Sequence, residues 1–505
     1  MTNQKPVRVR FAPSPTGRVH LGSARTALYD YLVARQNEGQ FILRIEDTDR
    51  KRYVEGAEEE LINGLKWLGV QWDEGPDIGG PYGPYRQSER KEIYQEYAQK
   101  LIDSGHAYPC FCTSERISAV REEQQKNKIN PHYDGLCRKV SLEEAKERVA
   151  NGERHVVRFK TPKDGATTVT DLVRGDITIE NKQLDDAIIV KSDGWALYHL
   201  AAMVDDHLMK ISHVIRGSEW LPTFPLHSML YRAFGWEEPI WIHLSVFLKP
   251  SGKGKMSKRE AQELNKTGHS IFVQDMEELG YLPEGIINWI SLMGWSLDDH
   301  TEFFSLDNLI RDFDLNRLNP SPAAINFSKL DHFNGLHIRN LSIDDLADRL
   351  LPVFIKAGCQ ADLDKVKKIT PIIQERLVTL DDCIEKAGFL FKDEVSYAPE
   401  FLIAKGLDPA TSLEILNNCI EILKPLPEIS AATAEQPMRD YVERSGYKAG
   451  QVFGILRNAS TGQTVTPPLF ETLEIIGRDK VMERLINARG ILTKYTKIEG
   501  PGFIK

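Results

Sequence analysis

The residues best suited to chemistry sit in two short stretches far apart in the chain. Phe11-Ala-Pro-Ser-Pro-Thr-Gly-Arg-Val-His-Leu-Gly-Ser23 sets two prolines, two glycines and a histidine just beyond an apolar run. Gly252-Lys-Gly-Lys-Met-Ser-Lys-Arg259 packs glycines and a serine among several cations, and its Lys255 lies 235 positions beyond His20. In the first stretch, Pro13 and Pro15 stiffen a turn, while Gly17 and Gly22 keep Cβ atoms away from an approaching ligand. His20 is placed to donate to a phosphate. The second stretch suits a mobile loop that closes on a polyphosphate and neutralises charge as it develops. Taken singly, each has a plainer reading: a connecting turn, a structural histidine, a solvated run of lysines. A third group, Cys110-Phe-Cys112 followed 25 positions later by Cys137, offers three thiolates to a tetrahedral zinc ion. Three buried thiols without metal is the other reading.

These residues need elements to position them. Val7-Arg-Val-Arg-Phe11 alternates as a strand does. Leu21, Ala24, Leu28, Tyr31 and Leu32 recur at helical spacing, and Phe41-Ile-Leu-Arg-Ile45 follows as a second strand. Strand, glycine-containing turn, helix and strand in under fifty residues make a βαβ unit, the seed of a parallel doubly wound sheet. Such sheets bind ligands at the carboxyl ends of their strands, where a helix amino terminus attracts phosphate. Further strands are predicted at Ala187–Val190, His213–Ile215 and Trp241–Phe247. Between Cys110 and Leu184 the rhythm lapses into a charged helical run (Ser114–Asn127) and short strands, as in an inserted domain. Beyond Gly268 amphipathic helices dominate, as in Ile343–Ala357, Leu363–Leu377 (interrupted at Pro371), Ser412–Leu423 and Arg478–Leu485.

The chain has 505 residues, 41% hydrophobic and 27% charged, so several domains of an ordinary globular protein are expected. A net charge of −9 argues against nonspecific coating of nucleic acid and leaves room for local basic strips. No apolar run is long enough to cross a bilayer. Six cysteines are too few for a disulfide scaffold, which fits a reducing, cytoplasmic setting.

"HLGS" at 20–23 together with "KMSKR" at 255–259 resembles the two signatures of class I aminoacyl-tRNA synthetases. "RFAPSPTG" (10–17), "RIEDTD" (44–49), "GPYRQSER" (83–90), "YHLA" (198–201) and "VDDHLM" (204–209) narrow the resemblance to the bacterial-type glutamyl-tRNA synthetases, over essentially the whole chain. The fold it implies is a Rossmann-type parallel-sheet catalytic domain (1–109 and 187–260) with an inserted α+β acceptor-stem-binding domain (110–186). A stem-contact helical domain (261–330) and an all-α anticodon-binding region (331–505) follow. One departure is visible: Ser23 stands where the general class I pattern has a second histidine.

The activity implied is ATP-dependent joining of L-glutamate to tRNA(Glu) through a glutamyl-adenylate, with Mg²⁺ accompanying ATP and AMP and diphosphate released. The alternative is a non-discriminating enzyme that also glutamylates tRNA(Gln). No side-chain nucleophile is needed, so catalysis is positioning plus charge stabilisation. On this resemblance His20, Lys255 and Lys258 are catalytic, and Gly22 and Ser257 join them in the ATP site. Arg10 and Arg216 would answer glutamate's carboxylates, Glu46 its ammonium, and Ser14 and Tyr198 would add hydroxyls. Glutamine would leave an arginine unanswered, at a cost of about 1–3 kcal/mol in a buried site. Some members bind structural zinc at the position of Cys110, Cys112 and Cys137. Lys139 occupies the place of their histidine ligand, and a protonated lysine cannot ligate; Tyr133-x3-Cys137 resembles a related arrangement in which a tyrosine oxygen is the fourth ligand. Arg376 aligns with an arginine that helps select the third anticodon base. A monomer is expected, with no membrane partner. A cytidylyltransferase of related fold would have no use for the long helical region, and an inactive paralogue should have lost a lysine of "KMSKR" or a pocket arginine.

Overall fold

In a computed structural model the described residues are 6–15, 17–49, 54–254, 263–264 and 266–499. They fall into two compact units: residues up to Glu278 with Ile286–Lys329, and Leu279–Gly285 with Leu330 onward.

The first unit is built on the anticipated βαβ start: β1 (Arg8–Phe11), α1 (Leu21–Gln36) and β2 (Gln40–Leu43), with β1 and β2 parallel in the register Arg8↔Gln40 to Phe11↔Leu43. The alternation of β1 suggests one wet face, yet all four of its residues are buried. The polar side is sealed by charge pairing. Arg8 donates to Glu74 Oε1 at 2.8 Å, and Arg10 to Asp206 Oδ1 at 3.0 Å. Covering on both faces is what a parallel sheet requires.

Five more strands follow along the chain: β3 (Ala107–Cys110), β4 (Val156–Phe159), β5 (Ala166–Asp171), β6 (Gly175–Glu180) and β7 (Ile188–Val190). Then come β8 (His213–Gly217) and β9 (Ile240–Leu244), which pair in parallel. Ser212 ties β8 to β1, its N–H donating to Arg8 O and its hydroxyl accepting from Arg8 N, both at 2.8 Å. The hairpin β5–β6 joins the same sheet through one parallel pair, Asp171↔Trp241. Ile188–Val190, expected in the parallel sheet, instead pairs antiparallel with β4 beside β3. A run of three or four apolar residues satisfies either sheet, so tertiary context chose. The run Trp241–Phe247, read as one strand, breaks after Leu244. Arg25 Nη2 donates to the carbonyl of Ser245 there, and Phe247–Leu248 turns away to pair with Ala323–Ala324.

The second unit is helical, with helices including Ile343–Lys356, Pro409–Leu423 and Ala449–Thr461. Leu363–Ile373 ends sooner than its pattern suggested and tightens into a 3₁₀ turn, Gln374–Arg376. Arg478–Glu499 runs longer than expected. Its Leu485, Ala488 and Leu492 pack with Leu416, Cys419 and Ile420 in one core.

The first unit turns on two adjacent carboxylates in the helix Tyr198–Leu208, both wholly buried. Asp205 accepts from Arg90 Nε at 2.7 Å, Tyr94 Oη at 2.8 Å and Gln87 Nε2 at 2.9 Å. Asp206 accepts from Arg44 Nη1 at 2.7 Å and from Arg10 Nε at 3.0 Å. Removing one partner of a buried pair strands the other charge, which costs about 3–5 kcal/mol. Asp205→Ala should therefore lower the urea unfolding midpoint by that much stability, whereas Asp479→Ala, at an exposed pair with Arg478, should leave it unchanged. Equal midpoints for the two variants would show that the network is not holding the fold.

Candidate functional site

A cleft of about 560 Å³ opens where β1, β8 and β9 end and α1 begins, a size suited to a small ligand. Arg10, Ser14, His20, Gly22, Glu46, Tyr198 and Arg216 all line it. Seven residues spread over more than two hundred positions thus meet at one sheet edge. Lys255, Ser257 and Lys258 lie outside the described residues.

His20 is the N-cap of α1. Its Nδ1 accepts from the N–H of Gly22 at 3.0 Å, so the proton of the neutral ring sits on Nε2. Burial lowers its pKa below the usual imidazole value, which favours that neutral donor. A Cβ added at Gly22 would touch only His20 Nδ1, at 3.5 Å, an ordinary contact. The chain itself therefore does not demand glycine there, and the space is free for a ligand.

Glu46 follows β2, anchored by its N–H donating to Pro13 O at 2.9 Å. Its Oε1 accepts from Arg44 Nη2 at 3.1 Å. Burial pushes its pKa up to about 7, with Arg44 and then Arg10 pulling the other way. Arg10 is partly committed: beyond Asp206, its Nη1 donates to Ile215 O at 3.3 Å, so part of its five-donor fork remains for a ligand. Burial opposes its charge, but Asp206 outweighs this and its pKa is raised.

Arg216 is different. It is 5% exposed, and neither Nη1 nor Nη2 has a hydrogen-bond partner. The nearby Tyr198 phenol supports its charge without accepting a well-formed bond, and burial lowers its pKa. Two aligned, buried donors on one guanidinium match a carboxylate or phosphate. Tyr198 stacks on Trp220, ring centroids 3.9 Å apart and planes 22° from parallel, which fixes its hydroxyl beside this arginine.

Motif reading assigned no role to Asp205, Asp206, Arg44, Trp220 or His243. For the aspartates a signal existed: two carboxylates inside the apolar run Ala201-Ala-Met-Val-Asp-Asp206 must be buried with partners. His243 and Trp220 carried none.

The Cys110, Cys112 and Cys137 sulfurs lie within 4.8 Å of one another. Tyr133 Oη stands 3.4 Å from Cys110 Sγ and 3.5 Å from Cys112 Sγ. Three thiolates and a phenolic oxygen converging at this spacing fit tetrahedral zinc. The surplus negative charge would be answered by Arg116, whose Nη1 is 3.4 Å from Cys112 Sγ, and by Arg158, 4.0 Å over the Tyr133 ring. In the second unit, exposed Arg376 donates from Nη1 to Thr466 O at 3.1 Å. Arg457 donates to the same residue's hydroxyl at 3.1 Å.

A cleft at the carboxyl ends of a parallel sheet, with a capped helix and buried arginines at its edge and a helical unit later in the chain, is the architecture of an α/β ligand-binding protein with an appended helical region. Residues 6–332 match the family described as tRNA synthetases class I (E and Q), catalytic domain, and residues 345–489 match an anticodon binding domain. The chain is 47% identical to a glutamate–tRNA ligase of Dehalococcoides mccartyi (strain CBDB1), over 97% of this chain and 98% of that one. It is 44% identical to that of Roseiflexus sp. (strain RS-1), with the same coverage. The crystal structure of a glutamate tRNA ligase from Elizabethkingia meningosepticum in complex with its amino acid superposes with a TM-score of 0.88 at 36% identity, covering 97% of this chain and 100% of that one. This chain belongs to the glutamate–tRNA ligase family of class I aminoacyl-tRNA synthetases.

The thiol cluster makes its own prediction. Purified protein should carry one zinc per chain by elemental analysis, and Cys112→Ser should lower that content. Metal-free protein with all six thiols reactive after unfolding would leave them as plain buried cysteines.

Proposed function

We propose that this chain attaches L-glutamate to tRNA(Glu) at the expense of ATP, in two steps in one cleft. In the first, glutamate's α-carboxylate oxygen attacks the α-phosphorus of ATP and diphosphate leaves. In the second, a hydroxyl of the tRNA's terminal ribose takes the acyl group and AMP departs. The observation that carries this reading is the buried, unanswered guanidinium of Arg216, facing the same cleft as Arg10 and Glu46. A dicarboxylic amino acid supplies two anions and one cation, and the lining offers the complementary set. Ser14 and Tyr198 would add hydroxyl hydrogen bonds. His20 would donate from Nε2 to a phosphate, and Gly22 would leave room for the adenine. Lys255, Ser257 and Lys258 would complete the phosphate site, with Mg²⁺ arriving on ATP. Zinc on Cys110, Cys112, Tyr133 and Cys137 would be structural, since adenylate chemistry has no need of it.

The insertion would hold the acceptor stem and the helical unit the anticodon. Arg376 would contribute to choosing tRNA(Glu) over tRNA(Gln), since arginine donors suit a base edge. We further infer a monomer working in the cytoplasm. Among the described residues no helix is long and apolar enough to cross a membrane.

The test is charging of separately purified tRNA(Glu) and tRNA(Gln) with labelled glutamate, ATP and Mg²⁺. Glutamate on tRNA(Glu) alone is expected, with Arg376→Ala weakening that preference. Charging of both tRNAs would make the enzyme non-discriminating and remove the role of Arg376. No charging at all would overturn the catalytic assignment.

The raised pKa of Glu46 gives a second expectation. A carboxyl near 7 in the empty cleft gains a proton as pH falls and then cannot answer an ammonium. The KM for glutamate should therefore rise severalfold between pH 8 and pH 6, and in Glu46→Gln it should be high and flat. A wild-type KM constant over that window would assign the ammonium elsewhere.

A further inference from the structure

Arg216 differs from the other buried arginines of this region in what holds it: Arg25, also on the cleft wall, donates only to the backbone carbonyls of Met293 and Ser245. Arg8, Arg10, Arg44 and Arg90 each donate to a carboxylate. Arg216 donates instead from Nε to the imidazole Nε2 of His243, at 2.9 Å. His243 is 0% exposed. Its own Nδ1 and its backbone N–H both point to Asp171 Oδ2, at 2.7 and 3.0 Å. Asp171 is fixed in turn, since its Oδ1 accepts from the N–H groups of Val173 and Arg174 at 3.1 and 3.0 Å.

One tautomer satisfies both contacts. The Asp171 carboxylate can only accept, so the proton sits on Nδ1 and the lone pair of Nε2 faces the Nε–H of Arg216. A doubly protonated ring would set N–H against N–H, and burial lowers the pKa of His243 away from that state. The acceptor is therefore neutral. It fixes one edge of the guanidinium and hence its plane, which also lies 4.8 Å over the Trp241 ring. A carboxylate in the same place would fix the plane equally well and would neutralise the charge that a ligand needs.

We propose that His243, oriented by Asp171, is a positioning residue that aims Nη1 and Nη2 of Arg216 into the cleft and leaves their charge for a substrate carboxylate. The inference rests on the reading of Arg216 as a glutamate ligand. It adds two residues that touch no substrate, one of them at the end of the inserted hairpin β5–β6.

The test compares His243→Phe, His243→Gln, Asp171→Asn and Arg216→Ala in the full-length enzyme, by tRNA charging at varied glutamate and at varied ATP, with thermal unfolding of each. His243→Phe keeps the ring and removes the acceptor. It should raise the KM for glutamate about tenfold or more, with the KM for ATP within about twofold. His243→Gln offers an amide oxygen near the position of Nε2 and should recover most of that loss. Asp171→Asn presents an N–H where the carboxylate accepted, which favours the wrong tautomer, so it should reproduce the glutamate effect in a folded enzyme even where His243→Phe does not fold. A wild-type glutamate KM in Asp171→Asn and His243→Phe, beside a large loss in Arg216→Ala, would overturn the positioning role alone. A wild-type glutamate KM in Arg216→Ala would overturn the glutamate reading of the cleft and this inference with it. Equal rises in both KM values that His243→Gln does not repair would mark His243 as a core residue.

Discussion

Two neighbouring carboxylates that never meet water organise the first unit. Asp205 and Asp206 sit on consecutive positions of one helix, each with its own hydrogen-bond donors, and Arg44 forms an ion pair with both. Desolvating both charges is expensive, and their attraction to arginines repays it only with well-formed hydrogen bonds. Those bonds come from Arg10 on β1, from Arg44 just past β2 and from Arg90 just before the helix Lys91–Asp103. The network therefore fixes the distances between elements far apart in sequence, and the floor of the cleft inherits its geometry. Glu46 is held through Arg44, and Arg10 through Asp206.

Against that background the buried arginines differ in what answers their charge, and Arg25, on the cleft wall, has only the backbone carbonyls of Met293 and Ser245. Those bound to carboxylates have their charge answered by the protein, as the raised pKa of Arg44 shows: burial opposes its charge, and Asp206, Asp205 and Glu46 outweigh it. Arg216 has its charge unanswered, and burial lowers its pKa. Such a guanidinium stores unfavourable desolvation that an anionic ligand relieves, so it binds an anion without first breaking an internal ion pair. A neutral imidazole, itself oriented by a carboxylate from behind, can fix its Nε without cancelling that readiness. Glutamine lacks the side-chain anion, so on the proposed reading selectivity for glutamate would follow from the same feature.

The segment between β3 and β7 is joined to the cleft wall more closely than a peripheral module would be. Its hairpin extends the central sheet at Asp171↔Trp241, and that same aspartate reaches His243. Its first strand, β4, pairs between β3 and β7, which flank the segment in the chain, and the three cysteines and Tyr133 gather beside β3. A small cluster with few buried apolar residues gains stability from a metal cross-link, which is the physical use zinc would have there.

Much of this could be read from the chain alone. The βαβ start, the turn between Phe11 and Ser23, the helical second unit and the spacing of the cysteines are local patterns. Alternation, helical periodicity, proline, glycine and ligand spacing report directly on the backbone nearby. Other features lay beyond that reach. Ile188–Val190 is a strand in any reading, but which sheet it joins depends on what else is present. The strand at Trp241 ends at Leu244 because Arg25, more than two hundred residues earlier, takes the next carbonyl. Arg10 and Arg216 look alike as isolated arginines at strand ends, and only the fold gives one a carboxylate and the other a neutral histidine. The sequence alone determined which elements form and which residue types converge. The tertiary structure decided which charges are answered, because desolvation and hydrogen bonding depend on neighbours that no local pattern names.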